Sequence, residues 1–188
     1  MNDLLKYLPI AIVLLVYAAR MKEVATKRDV IQGPVQEKLT FRLFMISGLI
    51  VLVGGIAEYI WRGLVPNWWL VGVGVVLAVA SFAIRRAAIA ALGKFWSLHV
   101  EMRDNHEFVT SGPFKYVRHP TYFSMILELS SVALILVAPF AAIVAFIVFI
   151  PALRLRLRLE EKALIKKFGP NYLEYTKRTP AVIPIPGL

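Results

Sequence analysis

Apolar residues are gathered into five long runs, which polar and basic segments separate. Several runs approach or exceed the ~20 apolar residues that cross the hydrocarbon core of a bilayer. Lipid offers no partner to backbone N–H and C=O groups, so each run is predicted to be a helix. The predicted helices are Leu4 to Ala19, Leu39 to Trp61, Pro66 to Ile84, Pro120 to Val137 and Pro139 to Leu153. The predicted fold class is therefore an all-α integral membrane protein with five transmembrane helices.

The connections between these runs refine the prediction. Only Ala138 to Phe140 separates the last two helices, which predicts a tight helical hairpin. The fifth helix continues without a breaker into RLRLRLEEKALIKKF, whose spacing favours a helix over a strand. FGPNY, at Phe168 to Tyr172, then ends that helix with glycine and proline. Met1 to Arg20 lacks a basic start and a small-residue cleavage site, so we interpret it as a retained helix.

Composition and charge agree with a membrane protein. Of the 188 residues, 59% are hydrophobic, and the mean hydropathy is +0.67. The formal net charge of +10 would suggest nucleic acid in a soluble protein. In a membrane protein it indicates cytoplasmic loops and anionic headgroups, so we predict membrane lipids and no nucleic acid as partners. The lack of cysteine excludes disulfides and thiolate chemistry, and the spacing of the three histidines predicts no metal site.

The distribution of basic residues predicts the orientation. Of the 22 lysines and arginines, all but Lys6 and Arg62 lie in three segments, which follow the first, third and fifth predicted helices. Basic loops stay in the cytoplasm. We therefore expect a multi-pass protein with its N-terminus outside and its C-terminus inside.

The polar segments divide the chain into two regions. Residues 1–94 contain the first three helices and their loops, and residues 95–188 form the predicted catalytic region. Within the second region, Phe95 to Pro120 and Arg154 to Pro180 are cytoplasmic and flank the helical hairpin. Because the ends of the hairpin hold these two segments close together, we expect a site in a cleft between them.

The segment RLRLRLEEK contains one candidate group. On a helix, Arg156 and Glu160 share a face because they are four residues apart, and Arg158 and Glu161 share another at three apart. The same charges also fit a solvated helix that leaves the membrane with snorkelling arginines.

The segment VRHPTYF contains a second group. Pro120 suits the first position of a helix and holds His119 outside helical geometry. In an alternative interpretation these residues only start and anchor the helix, with Arg118 at the headgroups and Tyr122 in an aromatic belt.

Two further acidic residues lie within apolar runs, where an ionised side chain has a high free-energy cost. Glu58 precedes Arg62 by four residues, which indicates a structural pair at the outer interface. Glu128 lies about two turns into the fourth helix, where it either hydrogen-bonds within the bundle or lines a cavity. No nucleotide-binding glycine loop, Ser-His-Asp arrangement or DxD cluster is present in the sequence.

Two ordered sets of motifs carry a resemblance to a known family. HEFVTSGPFKYVRHPTY, His106 to Tyr122, contains a histidine-x-hydrophobic-valine, a Thr-Ser-Gly turn, an aromatic residue and RHPxY. After the hairpin, Arg156 to Pro184 contains an arginine, paired glutamates, FGxxYxxY and a hydrophobic tail with prolines. In this order the chain resembles the isoprenylcysteine carboxyl methyltransferase family, which is related to membrane phospholipid methyltransferases. The resemblance covers about the last half of the chain.

The resemblance implies S-adenosyl-L-methionine as the cofactor, S-adenosyl-L-homocysteine as its product, and a cytoplasmic pocket to which the C-terminal helix contributes. The implied cofactor-binding residues are His99, His106, Glu107, Phe108, Val109, Phe114, His119, Pro120, Thr121, Tyr122 and Glu160. Arg156 is implied to be the catalytic, substrate-binding residue. At His99, eukaryotic relatives tend to have glutamine. They also tend to have more spans, so five implies a minimal version.

The implied reaction is methyl transfer to a lipidic carboxylate, such as the α-carboxyl of a prenylcysteine on a small molecule or peptide. A carboxylate needs no general base, and Arg156 offers it two hydrogen bonds. Catalysis is then mainly alignment and exclusion of water. The alternatives are a phospholipid amine N-methyltransferase, an NADPH-dependent membrane reductase of related architecture, and a non-catalytic lipid-binding protein.

Overall fold

The computed structural model describes residues 3–26, 38–93 and 108–184, and every regular element within these ranges is helical. The α-helices are α1 (Leu8–Ala25), α2 (Leu39–Leu49), α3 (Gly55–Trp61), α4 (Trp68–Leu92), α5 (Pro120–Ile135), α6 (Pro139–Phe168) and α7 (Pro170–Arg178). A π-helical turn, Ile50–Gly54, joins α2 to α3 without a break. Short 3₁₀ turns occupy Asp3–Tyr7 and Gly112–Lys115.

Four helical segments of the described residues are long and apolar enough to cross a membrane. They are Leu4–Ala25, Leu39–Trp61, Trp68–Leu92 and Pro139–Phe168. The fifth apolar helix, α5, has 16 residues and is shorter. Large apolar side chains point outward along these helices, such as Leu15 (70% exposed), Val76 (66%) and Ile147 (67%). An outward apolar surface is what a bilayer requires. The described residues are thus all-helical, as predicted, with four candidate spans that fit an integral membrane protein.

The predicted bounds of the second helix are confirmed, whereas the first and third helices run further than predicted. α1 continues to Ala25, and Arg20 and Glu23 contribute an i,i+3 ion pair of 3.4 Å to its last turns. α4 continues to Leu92, and Arg85 lies inside it with 3% of its side chain exposed. The sequence places Arg85 in the basic segment after the third predicted helix, and this assignment to a loop is wrong. Its charge is tolerated inside α4 because polar side chains contact it.

The predicted hairpin between the last two apolar helices is confirmed, with its turn at Leu136–Ala138. Glu58 of α3 holds the start of α6, because its carboxylate accepts hydrogen bonds from the backbone N–H groups of Phe140 (3.4 Å) and Ala141 (2.9 Å). These N–H groups lie in the first turn of α6 and have no partner within the helix. The Glu58–Arg62 pair, 3.7 Å long, is also confirmed.

α4 packs closely against α5, the first helix of the hairpin. A Cβ atom placed on Gly74 would lie 2.6 Å from Ile135 Cγ1 and 2.8 Å from the Ser131 carbonyl oxygen. Only glycine fits at such a distance. Gly74 therefore lets the two helix backbones approach each other directly.

α6 is a single helix of 30 residues that carries the chain from the hairpin to the polar end of the bundle. Its continuity through Pro151 and RLRLRLEEK confirms the helical interpretation of that segment. Phe149 of α6 packs on Phe44 of α2, with ring centroids 5.2 Å apart, and Phe44 lies 6.0 Å from the ring of Tyr122. This aromatic contact joins α2, α5 and α6 directly beneath the polar cluster described next.

Candidate active site

Three segments that are far apart in the sequence meet where α5 begins. They are residues 118–122, residues 156–161 on α6, and residues 172–182 in and after α7. Gly169, with a φ of 55° that favours glycine, turns the chain between α6 and α7. The two polar segments that flank the hairpin are thus in contact, as expected from the sequence.

The segment after α7 is fixed to the start of α5 by backbone hydrogen bonds. The N–H groups of Arg118 and His119 donate to the carbonyls of Pro180 (2.9 Å) and Ala181 (2.8 Å). Val182 follows and is buried in the core. The C-terminal segment therefore forms one side of the site.

His119 lies between two carboxylates. Its Nδ1 is 3.3 Å from Glu160 Oε2, and its Nε2 is 3.0 Å from Glu161 Oε1. Burial lowers the pKa of His119, but hydrogen bonds and charge from Glu160 and Glu161 outweigh burial and raise this pKa above its ordinary value. Both ring nitrogens can donate only in the imidazolium form. The geometry therefore favours a protonated histidine that holds both carboxylates in place.

Tyr122 and Arg156, both buried, form a triangle with the partly exposed Glu160 beside His119. The Tyr122 hydroxyl donates to Glu160 Oε1 (2.6 Å) and accepts from Arg156 Nε (3.0 Å). Arg156 also reaches Glu160 directly at 3.3 Å, which confirms that the two residues share a face of α6. Arg156 Nη1 donates to the Thr40 hydroxyl of α2 at 3.3 Å. Arg156 is 3% exposed, so its guanidinium is fixed and faces the interior of the bundle.

Arg118 belongs to the site and is not a headgroup anchor. Its Nε and Nη2 donate to Glu161 at 2.8 and 3.0 Å, in a bidentate pair. Its Nη1 donates to the carbonyls of Thr176 (3.2 Å) and Thr179. The anchor interpretation is wrong, because these partners turn the side chain inward. The partner of Glu161 is thus Arg118, which precedes α5. The sequence had indicated only that Glu161 shares a face of α6 with Arg158.

Among the described residues, the cluster brings three basic groups against two acidic ones. Arg118, His119 and Arg156 face the carboxylates of Glu160 and Glu161. Buried charges are costly unless they are paired. The arrangement is therefore suited to receive one further anionic group, such as a carboxylate.

Aromatic rings cover the α7 side of the cluster. The ring of Phe108 lies 5.0 Å from Phe168, 5.7 Å from Tyr172 and 5.9 Å from Tyr175. The Tyr172 hydroxyl donates to Glu161 at 3.3 Å, and the Tyr175 hydroxyl donates to the Phe114 carbonyl at 2.5 Å. Phe108 and Phe114 are thus linked to the charged residues through α7.

The remaining predicted site residues are less directly connected. Pro120 is buried at the first position of α5, and His119 before it has a non-helical φ of −128°, as predicted. Val109 and Thr121 are half-buried, and the Thr121 carbonyl accepts from the Ser124 hydroxyl. His99, His106 and Glu107 lie outside the described residues.

Reasoning from sequence missed four members of this cluster: Arg118, Glu161, Tyr172 and Thr40. The first three lie inside the segments that carry the family resemblance, so position within those motifs was an available signal. Thr40 is 116 residues from its partner Arg156, and no local pattern indicates it.

Glu128 belongs to a separate polar cluster between α1, α4 and α5. Arg85 Nη2 contacts Glu128 directly, and Arg20 Nε lies 3.8 Å from its other oxygen. Arg85 also donates to the hydroxyls of Ser81 and Ser124, each at 3.0 Å. Of the two roles considered for Glu128, hydrogen bonding within the bundle is the one observed.

Comparison with known proteins gives consistent matches. Residues 73–166 match the isoprenylcysteine carboxyl methyltransferase (ICMT) family. Over 144 residues the chain is 28% identical to protein-S-isoprenylcysteine O-methyltransferase B of Arabidopsis thaliana, covering 75% of this chain and 73% of that protein. It is 32% identical to the Homo sapiens protein-S-isoprenylcysteine O-methyltransferase over 127 residues, 66% of this chain and 44% of that protein. It is 33% identical over 111 residues to the uncharacterized protein YpbQ of Bacillus subtilis, covering 58% of this chain and 64% of that protein.

Proposed function

The chain belongs to the isoprenylcysteine carboxyl methyltransferase family, and from this premise we propose that it transfers a methyl group from S-adenosyl-L-methionine to a lipidic carboxylate such as that of a prenylcysteine. Family membership makes the protein a membrane methyltransferase, whereas the donor and the acceptor are our proposal. The observation that carries it is the hydrogen-bonded triangle of Tyr122, Arg156 and Glu160, next to His119. This triangle joins the two segments of the family resemblance.

The residues present fit the proposed donor. It contains an ammonium group, ribose hydroxyls, a sulfonium and an adenine ring. Glu160 and Glu161 offer oxygens to the ammonium and the hydroxyls, and the rings of Phe108, Tyr172 and Tyr175 offer faces to adenine or, by cation–π attraction, to the sulfonium. When bound, S-adenosyl-L-methionine supplies a methyl group that is already electrophilic. His119 keeps the two carboxylates ionised and fixed.

Arg156 is the residue that we assign to the acceptor. Its guanidinium faces the bundle between Thr40 of α2 and Tyr122 of α5, the direction from which a lipid tail would approach. A guanidinium can hold a carboxylate by two hydrogen bonds and so aim one oxygen. Because the carboxylate is itself the nucleophile, the chain needs only to align it and to exclude water.

We also propose five spans, with the N-terminus outside and the site and C-terminus in the cytoplasm. The turn of the α5–α6 hairpin meets the end of the second span, since Arg62 Nη1 donates to the Val137 carbonyl at 3.3 Å. α5 therefore reaches the same face of the bundle as α3. Its 16 residues extend about 24 Å at ~1.5 Å per residue, close to the ~30 Å hydrocarbon core. Residues 95–188 are then the catalytic region.

Binding and turnover test this proposal. Purified protein in detergent is titrated calorimetrically with S-adenosyl-L-homocysteine and with NADPH, and methyl transfer is measured with a prenylcysteine and with phosphatidylethanolamine. We expect binding of S-adenosyl-L-homocysteine and transfer to the prenylcysteine. Failure of S-adenosyl-L-homocysteine to bind, or tight binding of NADPH, would refute the methyltransferase proposal. Transfer to the amine alone would refute the acceptor class.

Variants separate the roles of the two central residues. Glu160→Gln should weaken S-adenosyl-L-homocysteine binding about tenfold or more, the effect of losing ~1.4 kcal/mol. Arg156→Ala should leave that binding within a few-fold but lower kcat/KM for the carboxylate acceptor by about 100-fold, because it removes a charged bidentate contact. Arg158→Ala is the matched control, since Arg158 is exposed two residues further along the same helix. Equal turnover of the Arg156 and Arg158 variants would contradict the assigned role.

A further inference from the structure

A cavity lies at the end of the bundle that is remote from the candidate active site. It has a volume of about 520 Å³ and is bounded by the turn that follows α3 and by the hairpin turn before α6. Its lining includes Tyr59, Arg62, Trp68 and Val137. Arg156 lies 17 residues along α6 from the start of that helix at Pro139, which is about 25 Å of helix at ~1.5 Å per residue. The cavity and the active site are thus at opposite faces of the membrane.

Arg62 supplies a positive charge to this cavity. Its side chain is 45% exposed, and Nη1 is the atom that meets both Glu58 (3.7 Å) and the Val137 carbonyl (3.3 Å). Glu58 is 7% exposed, and its carboxylate is already engaged by two N–H groups at the positive end of α6. The Glu58 oxygen lies 3.7 Å from Nη1, so the two groups form an ion pair without a direct hydrogen bond. Both contacts of Arg62 use Nη1, which leaves Nε and Nη2 as donors for a second anion.

Tryptophans place the mouth of the cavity at the level of the headgroups. Trp61, Trp68 and Trp69 are 79%, 42% and 78% exposed, and all three lie at this end of the bundle. Indole rings concentrate at the boundary between headgroups and acyl chains. The anion that this boundary offers is a lipid phosphate, and the attached glycerol and upper acyl chain would meet the exposed apolar side chain of Val65.

One strained residue, Val137, lines the cavity, and a second, Leu64, directly precedes the lining residue Val65. Leu64 and Val137 are the non-glycine residues with positive φ among residues 3–26, 38–93 and 108–184, at 57° and 50°. This conformation is unusual, especially for β-branched valine, and it persists only where the surroundings enforce it. The carbonyl of Val137 accepts a hydrogen bond from Arg62 Nη1 at 3.3 Å. Strain of this kind is concentrated at ligand sites.

We propose that this cavity binds the phosphate of a phospholipid headgroup through Arg62, on the membrane face opposite the candidate active site. Anionic headgroups are preferred over choline headgroups, because a choline cation would add a like charge beside the guanidinium. The cavity volume is within the range of about 300–1,000 Å³ typical of small-molecule sites. The inference does not depend on the reaction that the protein catalyses.

Lipid retention tests the inference. Full-length protein in neutral detergent is mixed with equal amounts of phosphatidylglycerol and phosphatidylcholine, and bound lipid is counted by native mass spectrometry. We expect wild-type protein to retain phosphatidylglycerol with about tenfold preference, equivalent to ~1.4 kcal/mol. Arg62→Gln should lose that preference. Lys6→Gln, which removes the other basic residue of this face, should keep it.

A second variant covers the case in which Arg62→Gln does not fold. Val65 is 69% exposed, so Val65→Trp can fill the mouth without disturbing the core or the charge, and it should lower phosphatidylglycerol retention. Equal retention of the two lipids by wild-type protein, or unchanged preference in both variants, would overturn the proposal. So would inorganic phosphate that displaces phosphatidylglycerol at micromolar concentration, since that result would indicate a site for a free anion. S-adenosyl-L-homocysteine binding should stay unchanged in both variants.

Discussion

The Tyr122 hydroxyl is the group through which Arg156 and Glu160 are held together, and its removal is a sharp perturbation. Tyr122→Phe deletes one oxygen from a side chain that is 7% exposed and leaves the ring contact with Phe44 intact. It removes a donor to Glu160 at 2.6 Å and an acceptor for Arg156 at 3.0 Å. We expect both charged side chains to lose their common fixed point while the fold is kept.

The magnitude follows from these two contacts. Hydrogen bonds to charged groups contribute about 1.5–3 kcal/mol each. The direct Arg156–Glu160 contact at 3.3 Å survives and offsets part of the loss, so a net effect of about 2–4 kcal/mol is expected. If roughly 1.4–2.8 kcal/mol of it acts in the transition state, kcat/KM falls 10- to 100-fold. Because we assign Glu160 to the donor and Arg156 to the acceptor, and the hydroxyl holds both, kcat should fall as well as affinity.

The assay is methyl transfer to a prenylcysteine over a range of both substrates, with thermal unfolding measured in the same detergent. Tyr17→Phe is the matched control. It also deletes a hydroxyl with a short hydrogen bond, to the Gly48 carbonyl at 2.5 Å, but at a distance from the site. Tyr17→Phe should lower the unfolding temperature and leave kcat/KM within twofold. Tyr122→Phe with kcat and KM both within twofold of wild type would refute the positioning role.

Three further predictions concern packing, the second polar cluster and pH. Gly74→Ala should lower stability by about 1–3 kcal/mol through overpacking, whereas Gly72→Ala, with open space around it, should not, as thermal unfolding will reveal. Glu128→Ala leaves Arg85 buried beside a vacated partner and should cost about 3–5 kcal/mol; the exposed Glu174→Ala should leave the unfolding temperature unchanged, and an equal effect of the two would contradict the assignment. Because the pKa of His119 is raised in the folded protein, its ion pairs with Glu160 and Glu161 contribute fully below about pH 6.5, and that contribution is lost as pH rises through the raised pKa. The unfolding temperature should therefore fall from pH 6 to pH 9 in wild type and much less in His119→Gln; a rise, or an identical fall in the variant, would contradict this account.

Local pattern was sufficient to predict most of the helical framework. Pro120, the break near Ala138 and the continuity into RLRLRLEEK each act over a few residues. The start of α5, the hairpin and the helical RLRLRLEEK segment were confirmed, although the turn lies at Leu136–Ala138 and not at Ala138–Phe140. The pairing of Arg156 with Glu160 was predictable for the same reason, since four residues on one helix set it. Arg85 shows the limit of this reasoning. A charged residue after an apolar run predicts the end of the helix, but α4 continues past Arg85 because distant residues pair with its charge.

The rest of the site depends on contacts between distant segments. Arg118 meets Glu161 across 43 residues, and Arg156 meets Thr40 across 116. Helical periodicity states which residues share a face but not which helix that face meets. The interpretation of Arg118 as a headgroup anchor was wrong for this reason. In the sequence it stands at the start of an apolar helix, whereas in space its side chain contacts a carboxylate and two carbonyls.

The backbone contact between residues 180–181 and the start of α5 has a consequence for biosynthesis. Synthesis proceeds from the N-terminus, and each hydrophobic helix can enter the bilayer as it emerges. The N–H groups of Arg118 and His119, however, hydrogen-bond to the carbonyls of Pro180 and Ala181. These two residues are translated about 60 residues later. Insertion of the helices into the bilayer can thus precede completion of the candidate site. With the site proposed above, we expect a newly inserted bundle to be inactive until Thr179–Val182 has left the ribosome and docked.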